Sequence, residues 1–290
     1  MLVDERPGVN AWASRPDPGC GRGAAAGCLD ASVGHVRTYG GDHFGLDAVL
    51  GLKGLRRISV CLPARDEEAT VGAVIAAAVA PHLTPGGSGL VDELVVVDDG
   101  SADATGAAAA AAGAILVRRT PGGDKGAAMA AALEASSGDV VVFLDADVEN
   151  ATPAYVPRLV GPLLAETAVF VKGYYERPLH GQPTGGGRVT ELLARPVIRL
   201  LFPELAGVRQ PLAGETAAHR WVLDKVGFAP GYGVEIGLLI DVARDFGVDA
   251  IAQVDLGVRV HRNRPLAALR PQADDVLRTA LERAGVPGLP

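Results

Sequence analysis

"GDVVVFLDADVEN", residues 138–150, is the stretch on which the reading of this chain turns. Val140 to Leu144 are apolar without interruption, the pattern of a strand buried on both faces. Asp145 and Asp147 follow, with only Ala146 between them. In extended backbone, residues two apart point to the same side, so both carboxylates can address one place. Like charges on the rim of a core are costly unless a cation or a donor-rich ligand lies among them. Oxygen donors alone favour a hard cation, Mg²⁺ or Mn²⁺. The plainer reading of an isolated D-x-D is a strand-end acid capping the next helix, so the surrounding pattern must decide.

Working outward, the chain alternates strand and helix from residue 58. "ISVCLP" (58–63) reads as a strand and "EEATVGAVIAAAVA" (67–80) as a helix with Asp66 as its N-cap. "DELVVVDD" (92–99) is the next strand and "ADATGAAAAAA" (102–112) the next helix. "AILVRR" (114–119) and a helix from Lys125 to Ser137 lead into the opening stretch. Continuous apolar strands separated by helices indicate a parallel sheet covered on both faces. Ligands of such sheets bind at the carboxyl ends of the strands. That edge is where "PARDEE", Asp98 and Asp99, and Asp145 and Asp147 all fall.

The second half is less regular. "AVFVKGYYERP" (168–178) reads as a strand, and "PTGGGRVTELLARPVIRLLF" (183–202) as a Gly-rich loop entering a helix. "PGYGVEIGLLIDVARDFG" (230–247) is a turn and a helix ending at Gly247. "AIAQVDLGVRVHRNRP" (250–265) is strand-like and then basic, and a helix over 266–284 closes the chain. Residues 1–35 carry Gly, Ala, Pro and Asp without periodicity and read as a disordered tail.

Composition narrows the class. The 290 residues are 48% hydrophobic, enough for one large core or a core with a smaller lobe. A net charge of −7 without a basic tract makes nucleic acid and anionic membrane poor partners. Aromatics at 4% also argue against a base-stacking platform. The apolar runs are too short to span a bilayer, and no basic end precedes an apolar core at the N-terminus. Three cysteines, Cys20, Cys28 and Cys61, suit a reducing cytoplasm.

Several further residues carry chemistry. Lys125 in "PGGDKGAA" stands at a Gly-rich helix start, where its ammonium and the free N–H groups can face a phosphate; in isolation it is also an ordinary surface lysine. It is not a P-loop, because no Lys-Ser/Thr follows the glycines. "GGGRVTEL" places Arg188 and Thr190 at a second helix start, a candidate anion site or a flexible loop. His261, beside Arg259, Arg262 and Arg264, can complete a metal shell or be a plain surface histidine. Glu235 can bind a sugar hydroxyl or simply stabilise its helix N-terminus.

Taken together, "LPARDEE", "DDGSAD", the Lys125 loop, "DAD", "GGGRVTEL", "LFPELAG", "QPLAGE", "APGYGVEIG" and "AIAQVDLGVRVHRNRP" resemble the glucosyl-3-phosphoglycerate synthases, retaining glycosyltransferases of the GT-A fold. The likeness runs from about Thr38 to the C-terminal helix. It implies an α/β fold: a GT-A type, Rossmann-like nucleotide-sugar sheet over 36–175, then a smaller acceptor-binding part over 176–290. It implies transfer of glucose from UDP-glucose to 3-phosphoglycerate with Mg²⁺ or Mn²⁺. A GDP-glucose or GDP-mannose donor, another phosphorylated acceptor, or a non-catalytic sugar-nucleotide-binding subunit are the alternatives. By position, Pro63, Arg65, Glu67 and Asp99 would surround uracil and ribose. Lys125 would hold the diphosphate, Asp147 and His261 the metal, with Asp145 and Ala146 beside it. Gly187, Arg188, Thr190 and Asn263 would hold the acceptor, and Tyr232 and Glu235 would meet sugar and acceptor. Asp147, Lys125 and Glu235 would be the catalytic set, in a cytoplasmic homodimer. Ala146, Asp99 and Arg65 depart from the residues usual in the family, which bears on the donor more than on the reaction.

Overall fold

The computed structural model describes residues 35–179, 182–185, 187–260 and 265–287. The expected tail lies almost wholly outside the described residues, as do His261 and Asn263. The strands in chain order are β1 (Arg37–Tyr39), β2 (Ile58–Ala64), β3 (Glu93–Asp98), β4 (Ile115–Arg118), β5 (Val140–Phe143), β6 (Phe170–Glu176), β7 (Pro178–Leu179), β8 (Gln182–Gly185), β9 (Thr216–His219) and β10 (Ile251–Val258). The α-helices are α1 (Leu46–Lys53), α2 (Val71–Val74), α3 (Thr105–Ala111), α4 (Lys125–Ala135), α5 (Tyr155–Leu164), α6 (Arg195–Leu201), α7 (Arg220–Val226), α8 (Val234–Phe246) and α9 (Leu266–Arg283).

Eight strands form one sheet in the order β1-β10-β6-β9-β5-β2-β3-β4, and β7 pairs with β8 apart from it. Its centre is built from the apolar runs: every residue of β5 is buried, and all of β2 except half-buried Pro63. Two hydrophobic clusters cover the two faces, one including α5 with Leu159 and Leu163, the other α8 with Leu238 and Leu239. The mixed α/β architecture is the one expected.

Three local expectations need correction. The sheet is not wholly parallel, because β9 lies between β5 and β6 and is antiparallel to both. "TAAH" carries two alanines in place of an aliphatic run, so nothing in its composition marks a central strand. Its alanines are buried because α5 packs across it on one face, and the burial is supplied by neighbours rather than by its own side chains. Second, Asp66 does not cap the next helix. It has a left-handed backbone (φ 55°), and its carboxylate accepts the Ala102 N–H at 2.8 Å; α2 begins after Thr70 and continues as a π-helical turn over Ile75–Val79. Third, β5 ends at Phe143, so the two aspartates occupy the turn beyond the strand rather than its last positions. They still address one side, because Ala146 between them is 3% exposed and anchors the turn to the core.

The topology also decides what the rim contains. β9 and β10 come from the second half of the chain yet sit inside the sheet, which brings their ends to the rim of β2, β3 and β5.

Candidate active site

The strand ends open into a cleft of about 600 Å³. Pro63, Arg65 and Glu67 enter it from the end of β2, Asp99 from β3, and Asp145, Ala146 and Asp147 from the turn after β5. Lys125 comes from the first position of α4. Gly187, Arg188 and Thr190 form the facing wall, with Tyr232 and Glu235 at the start of α8. The structure thus brings every described residue expected at the site to one cleft.

Its floor is a chain of ion pairs. Lys125 Nζ donates to Asp145 Oδ1 at 2.7 Å and pairs with Glu235 Oε1 at 2.5 Å. Arg259, 3% exposed, donates one nitrogen to Asp145 Oδ2 at 2.9 Å and Asp147 Oδ1 at 2.7 Å, and another to both oxygens of Glu215 and to the Tyr175 hydroxyl. Burial works against the charges of Lys125, Asp145 and Arg259, and the pairing outweighs it. Asp145 is held far below the usual carboxylate range by Lys125 and Arg259, and Lys125 is held above the usual lysine range by Asp145 and Glu235. The pairing thus favours the charged form of both. Glu215, fully buried, is pushed up by desolvation against the pull of Arg259.

Glycines permit this crowding at two points. A Cβ on Gly214 would lie 2.0 Å from Asp145 Oδ1, so the loop before β9 can back directly against that carboxylate. Gly187, with φ 76°, turns the chain into the helix that carries Arg188 and Thr190.

Asp99 is used internally. One oxygen pairs with Arg119, and the other accepts the N–H groups of Gly123 at 2.8 Å and Asp124 at 2.9 Å. The carboxylate shapes the loop leading to Lys125, which accounts for an aspartate at this position.

Sequence reasoning missed Arg259 as a site residue and passed over Glu215 and Arg177. Arg259 lies between Val258 and Val260, 44% and 43% exposed, so the usual inside-outside alternation is inverted. Three carboxylates on the inner side are the reason, and they come from segments remote in sequence. Arg177 and Arg259 each line the cleft and each keep a buried Nε without a partner among the described residues. Unpaired buried donors of this kind cost about 1 to 3 kcal/mol and are suited to an anion.

The carboxylates fit a cation that arrives with a diphosphate better than a dedicated cage. Among the described residues no three His, Cys, Asp or Glu side chains gather as a metal cluster. Asp147 has only Oδ1 engaged among them, by Arg259. Mg²⁺ characteristically takes one or two carboxylates and completes its shell with substrate phosphates and water.

Comparison with known proteins agrees with this geometry. Residues 59–208 match the model of glycosyl transferase family 2. The chain is 52% identical over 247 residues to the glucosyl-3-phosphoglycerate synthase of Mycolicibacterium paratuberculosis, covering 80% of this chain and 74% of that one. It is 42% identical over 241 residues to the enzyme of that name from Petrotoga mobilis, covering 78% and 73%. The crystal structure of the Mycobacterium tuberculosis glucosyl-3-phosphoglycerate synthase with Mn²⁺, UDP-glucose and phosphoglyceric acid is similar at a TM-score of 0.78 and 48% identity, over 87% of this chain and 89% of that one. The same enzyme with Mg²⁺ and UDP is similar at 0.78 and 47%, over 87% and 88%.

Proposed function

The chain belongs to glycosyl transferase family 2 and, within it, to the glucosyl-3-phosphoglycerate synthases, and we propose that it transfers glucose from UDP-glucose to the hydroxyl of 3-phosphoglycerate with retention at the anomeric carbon. The observation that carries this reading is the single cleft in which the donor-side acids and Lys125 face the Gly187–Thr190 wall and Tyr232.

Pro63, Arg65 and Glu67 flank the nucleoside, Lys125 faces the diphosphate, and Asp147, with His261, holds the cation. A bound Mg²⁺ or Mn²⁺ offsets charge that builds on the departing diphosphate. Lys125 adds a positive charge at the same place, since two carboxylates secure its proton. Arg188, Thr190, the Gly187 backbone and Asn263 take the acceptor's phosphate and carboxylate. Glu235, anchored by Lys125, and Tyr232 orient the acceptor hydroxyl and the sugar.

Retention can follow from a covalent glycosyl-enzyme or from attack on the face the leaving group vacates. The nearby carboxylates argue against the first. Asp145 is engaged by Lys125 and Arg259, Glu235 by Lys125, and Glu215 is fully buried beneath Arg259. Asp147, whose Oδ2 is unengaged among the described residues, is given to the cation in this reading, so none is left as a bare nucleophile. The acceptor hydroxyl therefore attacks on the same face, and the leaving diphosphate takes its proton.

We assign residues 36–175 to the donor half and 176–290 to the acceptor half, with 1–35 dispensable. Family resemblance supports a homodimer, and the free, buried Cys61 is compatible with a reducing cytoplasm. No helix among the described residues is long and apolar enough to cross a membrane.

The test is a donor panel. With 3-phosphoglycerate and Mg²⁺, UDP-glucose should give glucosyl-3-phosphoglycerate with an α linkage, faster than GDP-glucose or GDP-mannose. Faster turnover with a GDP-sugar would overturn the donor assignment, and no turnover with any donor would overturn the reaction.

A further inference from the structure

One carboxylate oxygen joins the two sides of the cleft. Asp124 is the N-cap of α4, and its Oδ1 accepts the Ala127 N–H at 2.9 Å. The same oxygen accepts the N–H of Gly231, 107 residues away, at 2.8 Å. Capping a helix requires only the first of these bonds. The second is a tertiary tie, and two neighbours reinforce it. Lys125 reaches Glu235, and Gly126 lies so close to the next segment that a Cβ there would stand 1.8 Å from the Ala229 carbonyl oxygen. Three consecutive residues therefore grip the segment 229–235.

The path continues on both sides. The Asp124 N–H donates to Asp99, as does that of Gly123, so the loop is fixed to the end of β3 at the nucleoside end of the cleft. Beyond Gly231, the Tyr232 N–H donates to Asp275 Oδ2 at 3.0 Å, which fixes that turn to α9. The nucleoside end, the diphosphate lysine and the acceptor turn thus share one hydrogen-bonded route.

We infer that Asp124 is a positioning residue that couples the two substrate sites, so that a nucleoside diphosphate ordering the loop before α4 also sets the turn carrying Tyr232 for the phosphorylated acceptor. The inference rests on the donor and acceptor assignment above. Coupling of this kind is reciprocal and typically changes affinity about 5- to 150-fold.

The bridge and the cap can be separated by substitution. Asp124→Ser keeps a good N-cap, but its hydroxyl is one bond shorter and cannot reach both N–H groups. Asp124→Asn keeps the Oδ1 acceptor for both. The measurement is calorimetry of 3-phosphoglycerate binding to the full chain, with and without saturating UDP and Mg²⁺. In the wild type, UDP and Mg²⁺ should tighten acceptor binding about fivefold or more. In Asp124→Ser the ratio should fall below about twofold while UDP still binds, and Asp124→Asn should restore it. An unchanged ratio in Asp124→Ser, even with lowered thermal stability, would reduce Asp124 to a helix cap and overturn the proposal, as would a wild-type ratio near one. If 3-phosphoglycerate binds the wild type in neither state, the acceptor assignment falls, and the coupling proposal falls with it.

Discussion

At the residue scale, the site is a set of like charges held together by buried counterions. Asp147 contributes least to the internal pairing, since only Oδ1 is engaged among the described residues, and it is the better placed of the two D-x-D acids for a metal. Asp147→Asn keeps an oxygen for Arg259 and removes the charge. It should leave thermal stability near that of the wild type and lower kcat about a hundredfold, the loss of roughly 3 kcal/mol of transition-state stabilisation. Near-normal kcat at saturating Mg²⁺ would contradict the metal assignment. Arg188 stands on the opposite wall, after a glycine with positive φ. Charge-assisted bonds from a guanidinium contribute about 1.5 to 3 kcal/mol each. Arg188→Ala should therefore raise the KM for 3-phosphoglycerate about tenfold to a hundredfold while the Kd of UDP with metal hardly moves. A fall in UDP affinity with an unchanged acceptor KM would move Arg188 to the donor side. That Asp145, Asp147 and Lys125 meet at the rim of the sheet was legible from spacing and neighbours alone. Arg259 was not, because a lone arginine between valines carries no sign of the acids that bury it.

At the element scale, the informative strand is β9. It closes the gap between β5 and β6, and its end places His219 against Trp221, the two rings stacked with centroids 6.1 Å apart. Burial, aided by Arg56, lowers the His219 pKa from 6.5 to about 4. The unfolded chain takes up that proton near pH 6.5 and the folded one only near 4. His219 therefore contributes stability above pH 6.5 that is lost as pH falls towards 4, in all about 3 kcal/mol. Urea unfolding at pH 7 and pH 4.5 should show the wild type losing about 2 to 3 kcal/mol more than His219→Gln over that interval. Equal losses would assign the acid sensitivity to other groups. The aliphatic strands β2, β3 and β5 were read correctly, since their short runs are rich in β-branched residues and end at turn signals, whereas the longer buried run of α8 is a helix. β9 escaped because its alanines are equally at home in a helix or a loop. Asp66 was misassigned because a left-handed backbone reverses where its carboxylate points.

At the scale of the whole molecule, the described fold is anchored from within at its N-terminal edge. Arg37 on β1 donates to the carbonyl oxygens of Thr167 at 2.6 Å and Asp249 at 2.5 Å, and both contacts lie after residue 35. A chain lacking residues 1–35 should remain soluble and keep its kcat and both KM values within about twofold, since the removed segment has no periodic apolar face to dock. Inactive or insoluble protein would make the segment structural. What the sequence determined by itself is everything that local periodicity and short spacing encode: the apolar strands, the acids at their carboxyl ends, Lys125 at a helix start, the Gly-Arg turn, and a family likeness spread over most of the chain. What only the tertiary structure decided is how remote segments meet. The antiparallel insertion of β9, the burial of Arg259 among Asp145, Asp147 and Glu215, and the bridge from Asp124 to Gly231 each join residues about 40 to more than 100 positions apart. Long-range contacts of this kind depend on which surfaces remain unpaired once the local elements have formed, and no local pattern in a single chain records that.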